Sequence, residues 1–544
     1  MLAESATDTS SGPQADTRLW PRVAWLFAAT LIVATMLVAF LQFHRPGHGF
    51  THVFDFGETL GLPRLPEIDA SATYIHPDVP GYDGQMYAQL ALRPTADDPE
   101  LLRVLDNPPY RARRIFMPWV SWTLGMGNPW WVLNVQACLN LVCWIALSVL
   151  LLRWFSPRDG VSSFIRWAGV LLSAGMLSSM RHAVTDGPAL LALAGTVALA
   201  EAGWRYAAAA MGAVAGLTRE TSLLVGVAFL PQRWRDGRAW MRVIVEGLIL
   251  VLPLALWMWH LRGLAASSAY HNSGVANFTW PFAGFLERWF ELLAVLADKG
   301  WQKTSGASLL AHLALTVNMA WIIARPRWTD RWWRVGAVHV LLLAALNTQV
   351  WEGYPGAAAR VLLPLVLAFN ILAPRGRGGL VLIIAGNLSI FAGMLEMSGP
   401  PQPIWTVRGR GEIAGAGGHR SAISVEMGDG FYRVEGRGGN TWNWTSGDAV
   451  IRIHNAAAET VTARARLELR SLSPRTVVLR VAGNEVWRGT TSLEHQTVQT
   501  MPFTLPPGTT DVEVAAGPGE IPAVGEPRPQ GVRIFSFDLF VGDD

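Results

Sequence analysis

The chain has 544 residues, 51% of them hydrophobic and only 16% charged, with 26 tryptophans. A soluble domain is about one quarter charged, so this composition excludes an ordinary soluble enzyme and points to an integral membrane protein. The formal net charge of +3 is small, and no nucleic-acid partner is expected.

Residues 1–21, with "ESATDTSSGPQAD", have the composition of a disordered cytoplasmic tail. Val23 to Phe43 is the first apolar run. Arg18 and Arg22 precede it, and it ends in "LQFHRP" without a small-residue cleavage site, so it reads as an uncleaved anchor. A long polar loop follows, residues 44–128. It holds "PGYDGQMYAQLALRP", with Asp83 between Tyr82 and Gly84, and "NPPYRARRIFMPWVSW", a basic stretch running into an aromatic one that predicts a helix at the membrane interface. Further apolar spans are predicted at about Trp130–Leu152, Phe164–Met180, Pro188–Ala202, Val243–Leu261, Ser308–Ala324, Val335–Val350, Ala357–Leu372 and Leu380–Met397. Cys138 and Cys143 lie in the first of these and read as helix packing, since two cysteines make neither a disulfide framework nor a metal-ligand pattern.

The short loops "RWFSPRDGVSSFIR", "PQRWRDGRAWMR", "RPRWTDRWWR" and "PRGRGG" carry the arginines and belong on the cytoplasmic side. "WRYAAAAMGAVAGLTRETSLLVGVAFLPQRW" is apolar except for Arg219 and Glu220. As one span it breaks that charge rule for every later loop; as two half-length helices in a V, with Arg219 and Glu220 at the outer tip, it restores it. The expected fold is therefore an α-helical polytopic membrane protein of about eleven spans, N-terminus inside and C-terminus outside. The outer ends gather the ionisable residues: Asp83 in the first loop, Arg181, His182 and Asp186 in "SMRHAVTDGP", the Arg219/Glu220 tip, the segment Gly263 to Gly306, and Glu352, Tyr354 and Arg360 in "WEGYPGAAAR". Charges at such depths are costly unless they line a wet cavity, which makes them the candidate site.

From Gly399 the long apolar runs stop. Short alternating segments such as "AVIRIHN", "TVTARARLELR" and "VRIFSFDLFV", separated by Gly, Pro and Asn, predict an all-β sandwich or jelly roll over 399–544, outside the membrane and separate from the transmembrane domain 22–398.

The order of these features resembles the GT-C superfamily of membrane glycosyltransferases, which use sugars carried on polyprenyl phosphate. The resemblance covers roughly residues 20–397 and rests on "GYDGQMYAQLAL" in the long first outer loop, "RHAVTDGPALLALAG" opening a later helix, the "GLTRET" break at Gly216 to Thr221, and "ARVLLPL". It implies a bacterial inner-membrane enzyme of the inverting kind that moves a sugar from a polyprenyl-phosphate donor to a periplasmic or cell-surface glycan or lipid acceptor. The double acid frequent in the superfamily's first loop is missing: Asp83 stands alone, five positions after Asp78. No metal ligands are assigned, and a divalent cofactor, Mg or Mn, is not favoured.

Under this resemblance Asp83 is the general base and Asp186 assists it. Arg219, Arg360 and Arg181 hold the donor phosphate, a planar bidentate task suited to guanidinium. Tyr82, Gln85, Tyr87, Arg113, Arg114, Glu220, Glu352 and Tyr354 are candidate substrate contacts, and Arg111 with Arg113 and Arg114 can steer an anionic lipid head. Plainer roles compete. Asp83 can tie an Asp-Gly turn, Asp186 can cap a helix, Arg219 and Glu220 can form a structural ion pair, and the arginines at 111, 113 and 114 can be surface anchors. His182 reads as a surface or packing residue. His48 and His52 have no helix to align them on a metal. Trp442 and Trp444 can stack on sugar rings or pack on the sheet edge. Two rival functions remain. A lipid-linked glycan transporter or flippase would place polar groups at the midplane within inverted repeats; the other is a non-catalytic scaffold for surface polysaccharide assembly.

Overall fold

The computed structural model of the chain describes residues 19–45, 48–57, 63–71, 73–76, 80–233, 235–265, 274–398, 404–409, 412–415, 418–421, 423–437, 440–522 and 528–542. Most of the N-terminal tail, Asp78 and the expected domain boundary at Gly399 lie outside the described residues.

Among the described residues five helices are long and apolar enough to cross a membrane: Arg22–Leu41, Pro129–Arg153, Gly237–Arg262, Lys303–Ala324 and Gly378–Glu396. A sixth crossing results if the pair Pro157–Leu171 and Ala174–Arg181, bent by 42°, is one span. Much of their apolar surface is not covered by the chain: Phe27 is 70% exposed and Trp259 69%. Such surface belongs against lipid. Pro129–Leu150 begins with proline in its first turn, where the missing N–H is no loss, and Asn128 caps it by accepting from the Trp131 N–H. Small residues set the tightest contacts. On Arg205–Thr218, a Cβ on Gly212 would meet a Leu250 methyl at 2.4 Å and Thr196 at 3.5 Å, so glycine lets this helix close on Asp186–Glu201 and Gly237–Ala265. One pair of polar groups at depth satisfies itself: Asn370 and Asn387 exchange hydrogen bonds of 3.0 and 2.8 Å.

Two spans expected to be continuous are interrupted, and the break expected at Arg219 is present. The run 164–180 bends between Leu171 and Ala174. The run 357–372 divides into Ala357–Val361 and Leu363–Leu372, with Pro364 in the first turn of the second, where its ring is incompatible with continuing the first. Arg205–Thr218 ends at Arg219, whose backbone is extended, and a 3-10 segment, Glu220–Phe229, follows. A regular helix hides its backbone polar groups and leaves side chains to pack. These breaks do the reverse, and Arg181, Asp186, Arg219, Arg360 and Glu396 all sit at or beside helix ends.

The first loop is built from short helices rather than coil: Pro66–Ala70, Gly84–Leu92, Pro99–Val104, Pro108–Ala112 and Phe116–Leu124. The expected interfacial helix is thus two, separated at Arg113–Ile115, with Trp119 and Trp122 partly exposed on the second.

Beyond residue 404 the described chain is β. One sheet has the strand order Gln496–Gln499, Val461–Ser471, Val532–Val541, Asn440–Trp444, Glu435–Arg437, with Phe503–Leu505 also on the second strand and Trp405–Gly409 pairing in parallel with the third. The other runs Asn484–Thr491, Arg475–Val481, Gly508–Ala515, Ala449–Asn455, Ile423–Met427. Alternate residues turn inward from both. Ala463, Ala465, Leu467 and Leu469 from one sheet, and Ile451, Ile453, Leu479 and Val512 from the other, share one hydrophobic core. This core contains no residue of the helical part. A fragment of about 400–544 is therefore expected to be soluble and to melt in one cooperative transition by circular dichroism. A fragment without a transition would mean the β region needs the helices to fold.

Candidate active site

Asp83 lies at the start of the helix Gly84–Leu92, yet its side chain makes no cap hydrogen bond there. Two glycines bring it in. Gly81 has φ +82°, a left-handed turn that side chains disfavour. Gly84 passes so close to the 182 loop that a Cβ would stand 2.2 Å from the His182 carbonyl oxygen. The Asp83 carboxylate thereby reaches Arg111, whose Nη2 is 2.8 Å from Oδ1, and Arg360, whose Nη2 is 3.3 Å from Oδ2. Burial pushes the Asp83 carboxyl up, but Arg111 and Arg360 outweigh burial and hold it below the usual carboxylate range. It is ionised at any working pH, and its side chain keeps 30% of its surface open.

Arg360 extends the chain of charge. Its Nη1 is 3.4 Å from Asp186 Oδ2, and Asp186 is ion-paired on its other oxygen with Arg219. The expected base, its partner acid and two of the three expected phosphate ligands thus form one continuous array, Arg111–Asp83–Arg360–Asp186–Arg219. Asp186 opens its helix, and Thr185 before it gives no side-chain cap; the Asp186 carboxylate is spent on the two arginines. Tyr82 lies under Arg360, 5.2 Å from guanidinium to ring centre, and stacks on His182 at 4.1 Å.

A second node was not visible in the sequence. Asp55 accepts from Arg181 through both oxygens, at 3.0 and 3.2 Å, and from His182 Nδ1 at 2.5 Å. His182 Nε2 is 3.0 Å from Glu396, so one imidazole bridges two carboxylates. Burial lowers the His182 pKa, but the bonds to Asp55 and Glu396 outweigh it and raise it above the usual value, which favours imidazolium. His182, read from sequence as surface or packing, ties the first loop to the last helix of the membrane part. Arg181, expected at the phosphate, is engaged at Asp55.

The remaining residues form a third node and a periphery. Arg114 forks onto Glu220 with two 2.8 Å bonds and also donates to the Tyr87 and Tyr110 hydroxyls. Arg113 stands 3.9 Å from Glu220 and 4.5 Å over the Tyr110 ring. Arg219 and Glu220 therefore pair with different partners rather than with each other. Gln85 is buried, accepting from the Gly57 N–H. Tyr354 donates to the Ala392 carbonyl, and Glu352 is exposed.

Among the described residues one group has metal-ligand geometry: His52, Asp55 and His76, with ligand atoms within 4.8 Å. Burial drives His52 and His76 toward the neutral form a ligand needs. Asp55, however, already has both oxygens bonded by Arg181 and His182, and the nearby guanidiniums repel a cation. The set fits a closed ion-pair knot better than a metal centre.

No protein-family model and no curated protein sequence matches the chain. Among solved structures, the chain is similar to the cryo-EM structure of the arabinosyltransferase EmbB from Mycobacterium smegmatis, at 11% identity and a TM-score of 0.21, over 78% of this chain and 59% of that one. The chain thus spans less than two thirds of that protein's length.

Proposed function

We propose that the chain is a GT-C-like glycosyltransferase of the bacterial inner membrane, with about eleven membrane segments counting half-length ones and a periplasmic β-sandwich. The observation that carries this reading is the array Asp83–Arg360–Asp186–Arg219, assembled from four distant segments at the ends of broken helices. Asp83 takes the proton of the acceptor hydroxyl as its oxygen attacks the anomeric carbon. The bond from that carbon to the donor phosphate breaks, and the leaving phosphate keeps the electron pair. Arg360 and Arg219 meet the charge that grows on it. Asp186 holds those two guanidiniums in place. Arg181 belongs to the frame that positions His182 and Tyr82. The donor is a polyprenyl-phosphate sugar, and the acceptor a glycan or lipid. The pairing of both carboxylates of the array, Asp83 and Asp186, also suits a non-catalytic scaffold, because ion pairs alone can hold the loop.

The test is comparison of lipid-linked intermediates and surface glycans, by mass spectrometry, between wild-type and deletion strains. Accumulation of a sugar-charged polyprenyl phosphate with loss of one glycan residue supports transfer; unchanged profiles would overturn it. Sidedness has its own check. Arg235→Cys is expected to resist an impermeant thiol reagent in intact spheroplasts and react after lysis, and labelling of intact cells would reverse the proposed orientation.

A further inference from the structure

The β region carries a charge arrangement that its own fold does not need. Arg470 and Arg533 are directly opposed across the antiparallel pair Val461–Ser471 and Val532–Val541. Like charges in that position repel and destabilise a sheet. Among the described residues neither has an ion pair. The acids on the same strands and their neighbours are taken: Glu435 by Arg528, Glu468 by His495 and Asp538 by Arg466. The Arg533 Nε is buried and makes no hydrogen bond. Burial and then the neighbouring Arg470 lower the Arg533 pKa to about 10, the sign expected of an uncompensated cation.

Around the two guanidiniums stand aromatic rings. Arg533 lies 3.8 Å over Trp442, 4.7 Å over Phe535 and 5.5 Å over Trp444; Arg470 lies 5.5 Å over Phe535, and His495 stacks on Phe535 at 4.2 Å. Trp442, Phe535 and both arginines are partly exposed, and His495 is exposed, so the cluster opens on the outer face of the sheet. Planar guanidiniums grip carboxylate or phosphate in a fork, and flat aromatic rings accept the apolar face of a sugar.

We propose that this face of the seven-stranded sheet binds an acidic saccharide, its anionic group between Arg470 and Arg533 and its ring against the aromatic wall. The site is separate in sequence from the Asp83 array and does not depend on the transferase reading. A ligand carboxylate or phosphate would neutralise the opposed pair, supplying the counter-charge that the neighbouring strands do not.

The experiment uses the full chain in detergent, with binding to immobilised saccharides read by interferometry. The probes are polygalacturonate for the carboxylate source, a phosphomannan for the phosphate source, and a neutral glucan of similar length. Wild type is expected to retain one acidic probe over the neutral one, less so as salt rises. Arg470→Gln/Arg533→Gln is expected to lose about tenfold or more in affinity for that probe, the size of a lost charge-assisted fork. The substitution removes both the cross-strand repulsion and the arginine–ring contacts, so the variant is expected to keep a cooperative melting transition, and affinity compared between folded samples separates lost binding from lost folding. Trp442→Ala is expected to weaken the acidic saccharide but not inorganic phosphate. Equal affinity of the double variant and wild type, equal affinity for the neutral glucan, or no binding to either acidic probe would each overturn the proposal.

Discussion

Asp83→Asn is expected to lower sugar transfer by about 10²–10⁴-fold, the usual contribution of a general base, while the protein still inserts and folds. The surrounding charges explain why folding survives. Neutralising Asp83 does not strand its two arginines, because Arg111 keeps Asp106 through bonds of 2.8 and 2.6 Å and Arg360 keeps Asp186. Asparagine also fills the same space, and its one carbonyl oxygen can still accept from one of the two guanidiniums. If Asp83 only fastened the loop, asparagine would cost stability through the weakened ties to Arg111 and Arg360 but would leave the turnover of the folded protein nearly unchanged. Asp83→Glu extends the test: the carboxylate survives but moves by one methylene, and a base must stand within hydrogen-bond reach of the proton it takes. The measurement is product formed per correctly inserted protein, with melting temperature recorded beside it. Near-wild-type turnover by Asp83→Asn would remove the catalytic role and favour the scaffold.

The sequence held much of the architecture because the physics behind it is local. Apolar runs of spanning length and strict alternation in "TVTARARLELR" are periodic signals, and the helices and inward-facing residues at 463, 465, 467 and 469 follow them. The interruptions were harder to see, since the contacts that stabilise them are distant: Gly393, for example, lets the bend near residue 172 nest against the last helix, where a Cβ would meet the Leu172 carbonyl oxygen at 2.4 Å. The site divides the same way. Asp83, Asp186, Arg219 and Arg360 drew notice as charges in apolar surroundings. Asp55 did not, because "HVFDFGE" looks like ordinary loop and its partners Arg181 and His182 are 126 and 127 positions away. Glu396 ended an apolar run and gave no hint of its link to His182. Nor does any spacing rule distinguish an arginine that will hold a phosphate from one, like Arg181, already committed to a carboxylate.

Arg360→Gln is expected to damage both binding and chemistry, and to leave a signature in the pH profile. Arg360 is nearly buried and is the only group that touches both Asp83 and Asp186 among the described residues. Its removal leaves Asp186 with Arg219 and Asp83 with Arg111, so the stability loss should be on the order of 2–3 kcal/mol, near or below the low end for a broken buried pair. With one phosphate ligand gone, the donor KM should rise and turnover fall by about 10²–10³-fold, the cost of deleting one preorganised electrostatic contact. The pH dependence follows from sign. In the wild type the Asp83 carboxyl is held below its ordinary range, the ionised form is the active one, and its protonation adds no acid limb near neutrality. Without Arg360, burial still pushes that carboxyl up, and Arg111 with a smaller contribution from Arg114 is left to oppose it. Its pKa rises, and activity is lost as pH falls through the new value, so the acid limb moves to higher pH. Arg360→Lys should restore part of the stability but little of the rate, because one ammonium cannot fork between two carboxylates and a phosphate. An acid limb that stays in place in Arg360→Gln would show that Arg360 does not govern Asp83, and an unchanged donor KM would remove it from the phosphate site.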